Sequence, residues 1–404
     1  MSTTERLYYQ DSHLTEFTAH VTRVAELAPG RFGVMLDRTA FYPTGGGQPT
    51  DTGTIGAARV IECVDQEAAG VLHVIEGEPP AVDAEVVGRV DWLRRLDHIQ
   101  QHTGQHILSQ ALVALFAAPT RAFRMMEQVA EIDVELNEPT RERIEQAVDL
   151  ANNIIWEDRP VRIYHVTADE AAQLPLRRDS ARAGSLRVIE IENFDLSPCG
   201  GTHAERTGEV GLIAVRAWER AKGMTRLEFV AGARALADYR RANETARQVA
   251  AHFSAARDDA PASVARLLAD HKELTRRVRE LEETTARVEA DELRSTTAPD
   301  AHGTRLVART FAGRDADALK RLALALIAQP NTIALLGSAD ADSARLVFAR
   351  SADVRGDMNA LMRAACTLIE GRGGGRADMA QGGGRNIAQL ANAIETAARS
   401  LSAM

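Results

Sequence analysis

The chain has 404 residues, 45% of them hydrophobic and only 4% aromatic, so it can bury several cores built mainly from Leu, Val, Ile and Ala. A net charge of −9 argues against a generic polyanion binder, and no apolar run approaches the roughly 18 residues of a membrane span. Three widely spaced cysteines, Cys63, Cys199 and Cys366, exclude a disulfide framework and fit a reducing, cytoplasmic setting.

At about 100–200 residues per domain, two to four domains are expected. The N-terminus, Met1–Gln10, is polar and lacks a signal-peptide core. Residues 1–92 read as short strands, with β-prone runs at Arg31–Arg38, Arg59–Val64, Val71–Ile75 and Val86–Val90 between turn residues. A small barrel or sandwich follows from that pattern. Asp97–Phe116 is helix-prone and Pro119 ends it. Val129–Leu136 reads as a strand whose alternation slips by one residue. Thr140 caps a helix with Ile144, Val148, Ala151 and Ile155 on one face. Strands follow at Val161–Val166, Leu186–Ile191, Glu209–Ala217 and Leu227–Ala231, which makes this stretch α+β.

Arg234–Arg294 is almost entirely helical, interrupted near Pro261. Leu267, Leu274, Leu281 and Val288 fall seven residues apart, a heptad spacing. A helical hairpin satisfies it, and so does a coiled coil with a second copy of the chain, a homodimer through the C-terminal half. Beyond the linker Thr296–Gly303, strands at Arg305–Phe311, Ile333–Leu336 and Leu346–Ala349 and a helix at Leu319–Ile327 suggest a compact α/β domain. Two further helical stretches flank the glycine cluster Gly371–Gly384. From Asp300 onward thirteen Lys/Arg face ten Asp/Glu, a balance of +3 that leaves −12 on the first 299 residues. That asymmetry points to an anionic partner for the C-terminal part, or is ordinary variation between domains.

The sharpest chemistry lies in two short motifs. His102-Thr-Gly-Gln-His106 puts two imidazoles on one helix face, with Cβ atoms about 5–6 Å apart, close enough to converge on one ion. Cys199-Gly-Gly-Thr-His203 offers a thiol and a third imidazole from a glycine-containing turn after Pro198. The Cys/His mixture selects zinc over hard cations. Either half alone is commonplace; the pair carries the inference. His98, one turn before His102, reads as a ligand or as a histidine beside the site. Asp97, Gln101 and Gln105 are candidate acceptors for the other ring nitrogens of the ligands. Cys63 and Cys366 read as small buried hydrophobes. The motif lacks the glutamate of H-E-x-x-H, so the metalloprotease mechanism is missing its base. Four protein ligands describe a closed site, whereas catalytic zinc keeps a position open. Either one of the four dissociates or the ion takes a fifth ligand.

Two glycine clusters complete the inventory. Phe41–Gly53 reads FYPTGGGQPTDTG, a long β-turn connection or a loop closing over an amino acid or a terminal ribose. Thr44 and Gln48 are its hydrogen-bonding side chains. No Gly-Lys-Ser/Thr follows, so it is no P-loop. Glu370–Arg385 interleaves Arg372, Arg376 and Arg385 with glycines, which suits close approach to phosphates or a flexible linker.

HTGQHILSQAL, SPCGGTHAERTGEVGLI, FYPTGGGQPTDTG and GRGGGRADMAQGGG together resemble the long form of the stand-alone alanyl-tRNA editing proteins. Those are similar to the editing and C-terminal parts of alanyl-tRNA synthetase. The matches run from about Tyr42 to Gln381 in the family's order. The resemblance implies an α+β chain of four parts. These are a translation-protein-type β-barrel (1–92), a zinc-binding editing domain (93–235), a helical hairpin or coiled coil (236–298) and a glycine-rich α/β domain of the DHH-associated type that binds tRNA (299–404). It implies zinc on His102, His106, Cys199 and His203, and removal in trans of serine, and also glycine, from alanine tRNA. No Asp-His-His triplet accompanies the last domain.

One segment departs from the family: Ala122-Phe123-Arg124 stands where a Ser-Phe-His-like run is expected, and Glu131 where a Thr is expected. Phe123 and Arg124 are therefore candidate pocket residues that alter the amino acid removed. On this reading the backbone of Gly45, Gly46 and Gly47 stabilises an oxyanion, while Thr44 and Gln48 bond the substrate. Arg372, Arg376 and Arg385 hold the tRNA, and the acidic N-terminal half attracts it little. Alternatives are editing of a different mischarged tRNA, and a non-catalytic tRNA-binding module with structural zinc.

Overall fold

The alternating strands at the N-terminus close a barrel. Glu16–Ala28, Arg31–Leu36, Gly53–Ile55, Ala58–Asp65, Val71–Glu76 and Glu85–Val90 pair in the order first, second, fifth, fourth, third, sixth, and the sixth returns to the first. This is a computed structural model, describing residues 4–178 and 185–402. Phe17, Ala19 and Val21 point inward until the register shifts at Val21–Arg23. Three inward residues are too few to register as an apolar run, which is why the sequence does not announce this strand. His73 lies buried in the barrel, its Nδ1 donating to Val34 O at 3.0 Å and its Nε2 accepting from the Thr39 hydroxyl at 2.8 Å.

Asp91 caps the next helix, Trp92–Phe116, by accepting from Leu93 N and Arg94 N, so the helix begins earlier than Asp97. Arg95 on its first turn is fully buried. It bonds the Asp51 carboxylate, Ser12 O and Ala40 O, while Asp51 accepts from Tyr42 N. The glycine loop that starts at Phe41 is thereby tied at both ends to the base of this helix.

Against the helix lies a four-stranded sheet in the order Ile213–Ala221, Met224–Ala231, Ala130–Val134, Thr120–Met125. The slipped alternation near Val134 corresponds to a register shift at Asp133–Val134 against Thr120–Met125. The expected strand at Glu209 starts at Ile213 instead. Thr207–Val210 is a short 3-10 turn closed by Gly211 at φ 70°, and the Glu209 carboxylate accepts from Glu205 N and Arg206 N. A three-stranded sheet, Val161–Val166, Leu186–Ile191 and Asp195–Pro198, delivers the chain to Cys199. All of this forms one unit, Met1–Gln248.

The second unit is Val249–Met404. Its sheet runs Arg305–Ala312, Thr332–Ala339, Ala344–Arg350, Met379–Gly384, Gly371–Gly375, with only the first pair parallel. Alternation supplies both faces: Leu336 and Val347 meet the helix Ala316–Ile327, while Leu335, Leu346 and Phe348 meet the helices Met358–Leu368 and Leu390–Ser402. In the helix Ala260–Ser295, Ala290 joins the first of these cores, whereas Leu267, Leu274, Leu281 and Val288 are exposed. The second glycine cluster is a β-hairpin rather than a linker. A Cβ on Gly382 would stand 2.3 Å from Cys366 Sγ, so the missing side chains let the helix Met358–Leu368 lie on the hairpin. Among the described residues, no helix is long and apolar enough to cross a membrane.

Candidate metal centre

The helix Trp92–Phe116 and the turn after Pro198 bring four donors together. One ligand atom from each of His102, His106, Cys199 and His203 lies within 4.8 Å of the other three, a grouping able to hold a metal ion. Cys199 Sγ is 3.3 Å from His102 Nε2 and 3.4 Å from His203 Nε2. The turn can approach so closely because residue 201 is glycine, where a Cβ would fall 2.2 Å from His102 Cε1.

Each ring is oriented through its far nitrogen. His102 Nδ1 donates to Gln48 Oε1 at 2.8 Å, His106 Nδ1 donates to Asp195 Oδ2 at 3.1 Å, and His203 Nδ1 lies 3.2 Å from Thr103 Oγ1. Gln48 Oε1 also accepts from Thr202 N, so it is an acceptor and His102 must carry its proton on Nδ1. Nε2 is then the nitrogen that faces Cys199. Burial opposes ionisation of the Cys199 thiol, yet His102 and His203 hold its pKa well below the usual thiol value. Burial presses His203 down to about 3, so it is neutral. Burial also opposes the charge on Asp195, but His106 and Arg177 hold its pKa at about 2. Burial opposes a charge on His106 too, but its bonds to Asp195 and Cys199 raise its pKa above 6.5, so an arriving metal would take the thiolate and displace that ring's proton.

The orienting residues are not the ones the helix spacing suggested. Asp97 pairs with Arg234, Gln101 bridges Ala231 N and O, and Gln105 donates to Ser109. Gln48, Thr103 and Asp195 serve instead. His98 is buried outside the group, its Nδ1 3.9 Å from Asp51 Oδ1.

A cavity of about 690 Å³ opens onto this centre. Thr44, Gly45 and Gly46 form part of its wall, as do His102, His106, Cys199 and Phe123. Gly45 and Gln48 exchange backbone hydrogen bonds of 3.0 and 2.9 Å, so the Gly45 N–H is consumed by the turn. Gly47 faces the neighbouring strand, its carbonyl accepting from Met125 N at 2.9 Å. Gln48 is fully buried, with its amide nitrogen donating to Thr202 Oγ1 at 2.9 Å. It therefore orients His102 and does not face the cavity as expected. Arg124 turns away as well, bonding Glu131 and Asp133. Arg124 and Glu131 of the family departure thus sit in one ion-pair cluster with Arg226, whereas Ala122, where a serine is expected, lines the cavity beside Phe123.

Arg372, Arg376 and Arg385 are exposed on the second unit, where Arg376 pairs with Asp378. Sequence reasoning passed over Tyr9, Tyr42, Arg178 and Arg187, which also line the cavity. Arg187 carried the one available signal, a cation inside the apolar strand Leu186–Ile191.

Residues 186–228 match the family model of the threonyl and alanyl tRNA synthetase second additional domain, and residues 303–403 match the DHHA1 domain. The alanyl-tRNA editing protein AlaX-L of Pyrococcus horikoshii is 38% identical over 241 residues, 57% of this chain and 59% of that protein. The alanine–tRNA ligase of Pyrobaculum neutrophilum is 35% identical over 308 residues, 72% of this chain and 34% of the ligase. The alanine–tRNA ligase of Natronomonas pharaonis is 33% identical over 415 residues, 99% of this chain and 44% of the ligase. The chain spans less than half the length of these two curated ligases.

Proposed function

The chain belongs with the AlaX-type alanyl-tRNA editing proteins, carrying domains shared with alanyl-tRNA synthetases, and from that premise we propose that it hydrolyses the ester of alanine tRNA mischarged with serine or glycine. The observation that carries this reading is the convergence of His102, His106, Cys199 and His203 on one another beside a cavity that the first three line and the Thr44–Gly46 loop walls. Three oriented imidazoles and one low-pKa thiol fit zinc. Zinc bound there would supply a cationic centre that acidifies water or polarises a carbonyl.

The protein's own groups do the rest. Gln48, Thr103 and Asp195 fix the three rings. Thr44, exposed on the cavity wall, bonds the hydroxyl of a serine ester, which alanine lacks. Gly46, whose amide takes no part in the Gly45–Gln48 turn, is the donor placed to meet a developing oxyanion. Arg372, Arg376 and Arg385 contact tRNA phosphates from the second unit. With Arg124 held by Glu131 and Asp133, the support for a different mischarged tRNA that remains in the family departure is Ala122 on the cavity wall.

The test is deacylation of alanine tRNA charged with serine or with alanine, followed with purified protein. Faster loss of serine supports the proposal; equal loss of both at the background rate removes it. The completeness of the four-residue donor set supports a second reading, tRNA binding with a purely structural ion. His106→Ala separates the two: a folded, inactive variant favours catalysis, and unfolding with loss of metal favours structure.

A further inference from the structure

The cavity holds more positive charge than its ion pairs cancel. Arg6, Arg121, Arg177, Arg178 and Arg187 all line it. Three are neutralised in place, Arg6 by Asp65, Arg121 by Glu135 and Arg177 by Asp195. Among the described residues, Arg178 and Arg187 bond backbone carbonyls instead of carboxylates. Arg178 Nη2 donates to Pro198 O at 3.1 Å. Arg187 donates to the carbonyls of Tyr9 at 3.0 Å, Cys199 at 2.8 Å and Gly201 at 2.9 Å. Arg187 is only 8% exposed, and its Nη2 has no hydrogen-bond partner. A buried guanidinium with an idle donor is unfavourable until an anion arrives. The Cys199 thiolate would not serve once His102, His106, Cys199 and His203 held a divalent ion, because that ion would leave the centre positive.

Position decides which anion. Arg187 grips the turn that carries Cys199 and His203. An ester held at the centre through the 3′-terminal ribose has its nearest negative charge one sugar away, on the phosphodiester joining the last two nucleotides. Resting on the editing reading above, we propose that Arg178 and Arg187 form the seat of that phosphodiester. Arg178 stands exposed at the mouth, and Arg187 stands deeper in the wall. The N-terminal unit, acidic as a whole, then recognises an unpaired RNA end through two local charges, whatever the bases.

The experiment measures binding of a short RNA ending in CCA to the full chain by fluorescence anisotropy. The comparison is the same RNA with its last linkage replaced by a neutral methylphosphonate. The neutral linkage is expected to weaken binding about tenfold. Arg178→Gln, a surface change that leaves the Arg187 grip intact, should shrink that penalty and lower the salt slope by about 0.7. Binding indifferent to the last linkage, or a penalty untouched by Arg178→Gln, overturns the seat. Because this RNA carries no amino acid, the result is independent of hydrolysis. A linkage effect without deacylation of any charged tRNA sinks the editing reading alone; deacylation without a linkage effect sinks the seat alone.

Discussion

Gln48 of the glycine loop accepts the Nδ1–H of His102 at 2.8 Å while donating to Thr202 at 2.9 Å, so one buried amide fastens both halves of the donor set. The loop is therefore part of the scaffold of the candidate metal centre as well as part of the cavity wall.

Gln48→Leu removes both bonds. Removing a partner that orients a ligand typically lowers metal affinity about 10–100-fold, and a loss in that range is expected here. Competition with a chromophoric chelator measures it. Unchanged zinc affinity would mean that the rings are held without Gln48.

Asp195 and Arg177 form a pair whose side chains are 0% and 8% exposed. Asp195→Asn leaves a buried cation without its counter-charge and should cost about 3 kcal/mol in urea unfolding. Adding Arg177→Met should return much of that stability but not the zinc affinity, because His106 still lacks its carboxylate. Stability and affinity recovering together in the double variant would contradict the separate roles.

Thr44→Val keeps the shape and deletes the hydroxyl. The rate on serine-charged alanine tRNA should fall about tenfold, while the slow rate on the alanine-charged form stays put. Equal changes on the two substrates would remove Thr44 from recognition.

His73 gives the barrel an acid-sensitive point. Burial lowers its pKa from 6.5 to about 4, and its Nε2 must stay unprotonated to accept from Thr39. A depressed folded pKa means that the unfolded chain binds the proton first as pH falls below about 6.5. Stability is therefore full above that value and declines toward pH 4, with about 2 kcal/mol lost by about pH 5. Urea midpoints across this range should slope less in His73→Gln. Parallel slopes would assign the effect to other groups.

Local periodicity made much of the centre legible. His102 and His106 declare themselves by helix spacing, and Cys199 and His203 by a glycine-bearing turn. What orients them was not legible, because Gln48 lies on the barrel loop and Asp195 on a strand, both remote in sequence from the rings they hold. The helix neighbours Gln101 and Gln105 sit one residue off the ligand face and bond elsewhere. The hairpin at Gly371–Gly384 was hidden for the opposite reason. Glycine has low strand propensity, and these strands exist because a helix needs their missing side chains. Thr140, by contrast, marks a helix start where the sequence placed it, by accepting from Arg143 N, and the interruption expected near Pro261 is the break between Gly232–Ala251 and Ala260–Ser295, with Pro261 in the first turn of the latter.

The five-stranded sheet of the second unit ends on Arg305–Ala312 at one margin and Gly371–Gly375 at the other. Each margin bears arginines, Arg305 and Arg309 on the first and Arg372 on the second, and the second otherwise offers bare glycine backbone. An intruding strand would meet like charge on one side and find no side chains to pack against on the other. Like charge at one rim and the lack of side chains at the other both reduce what an added strand would gain there.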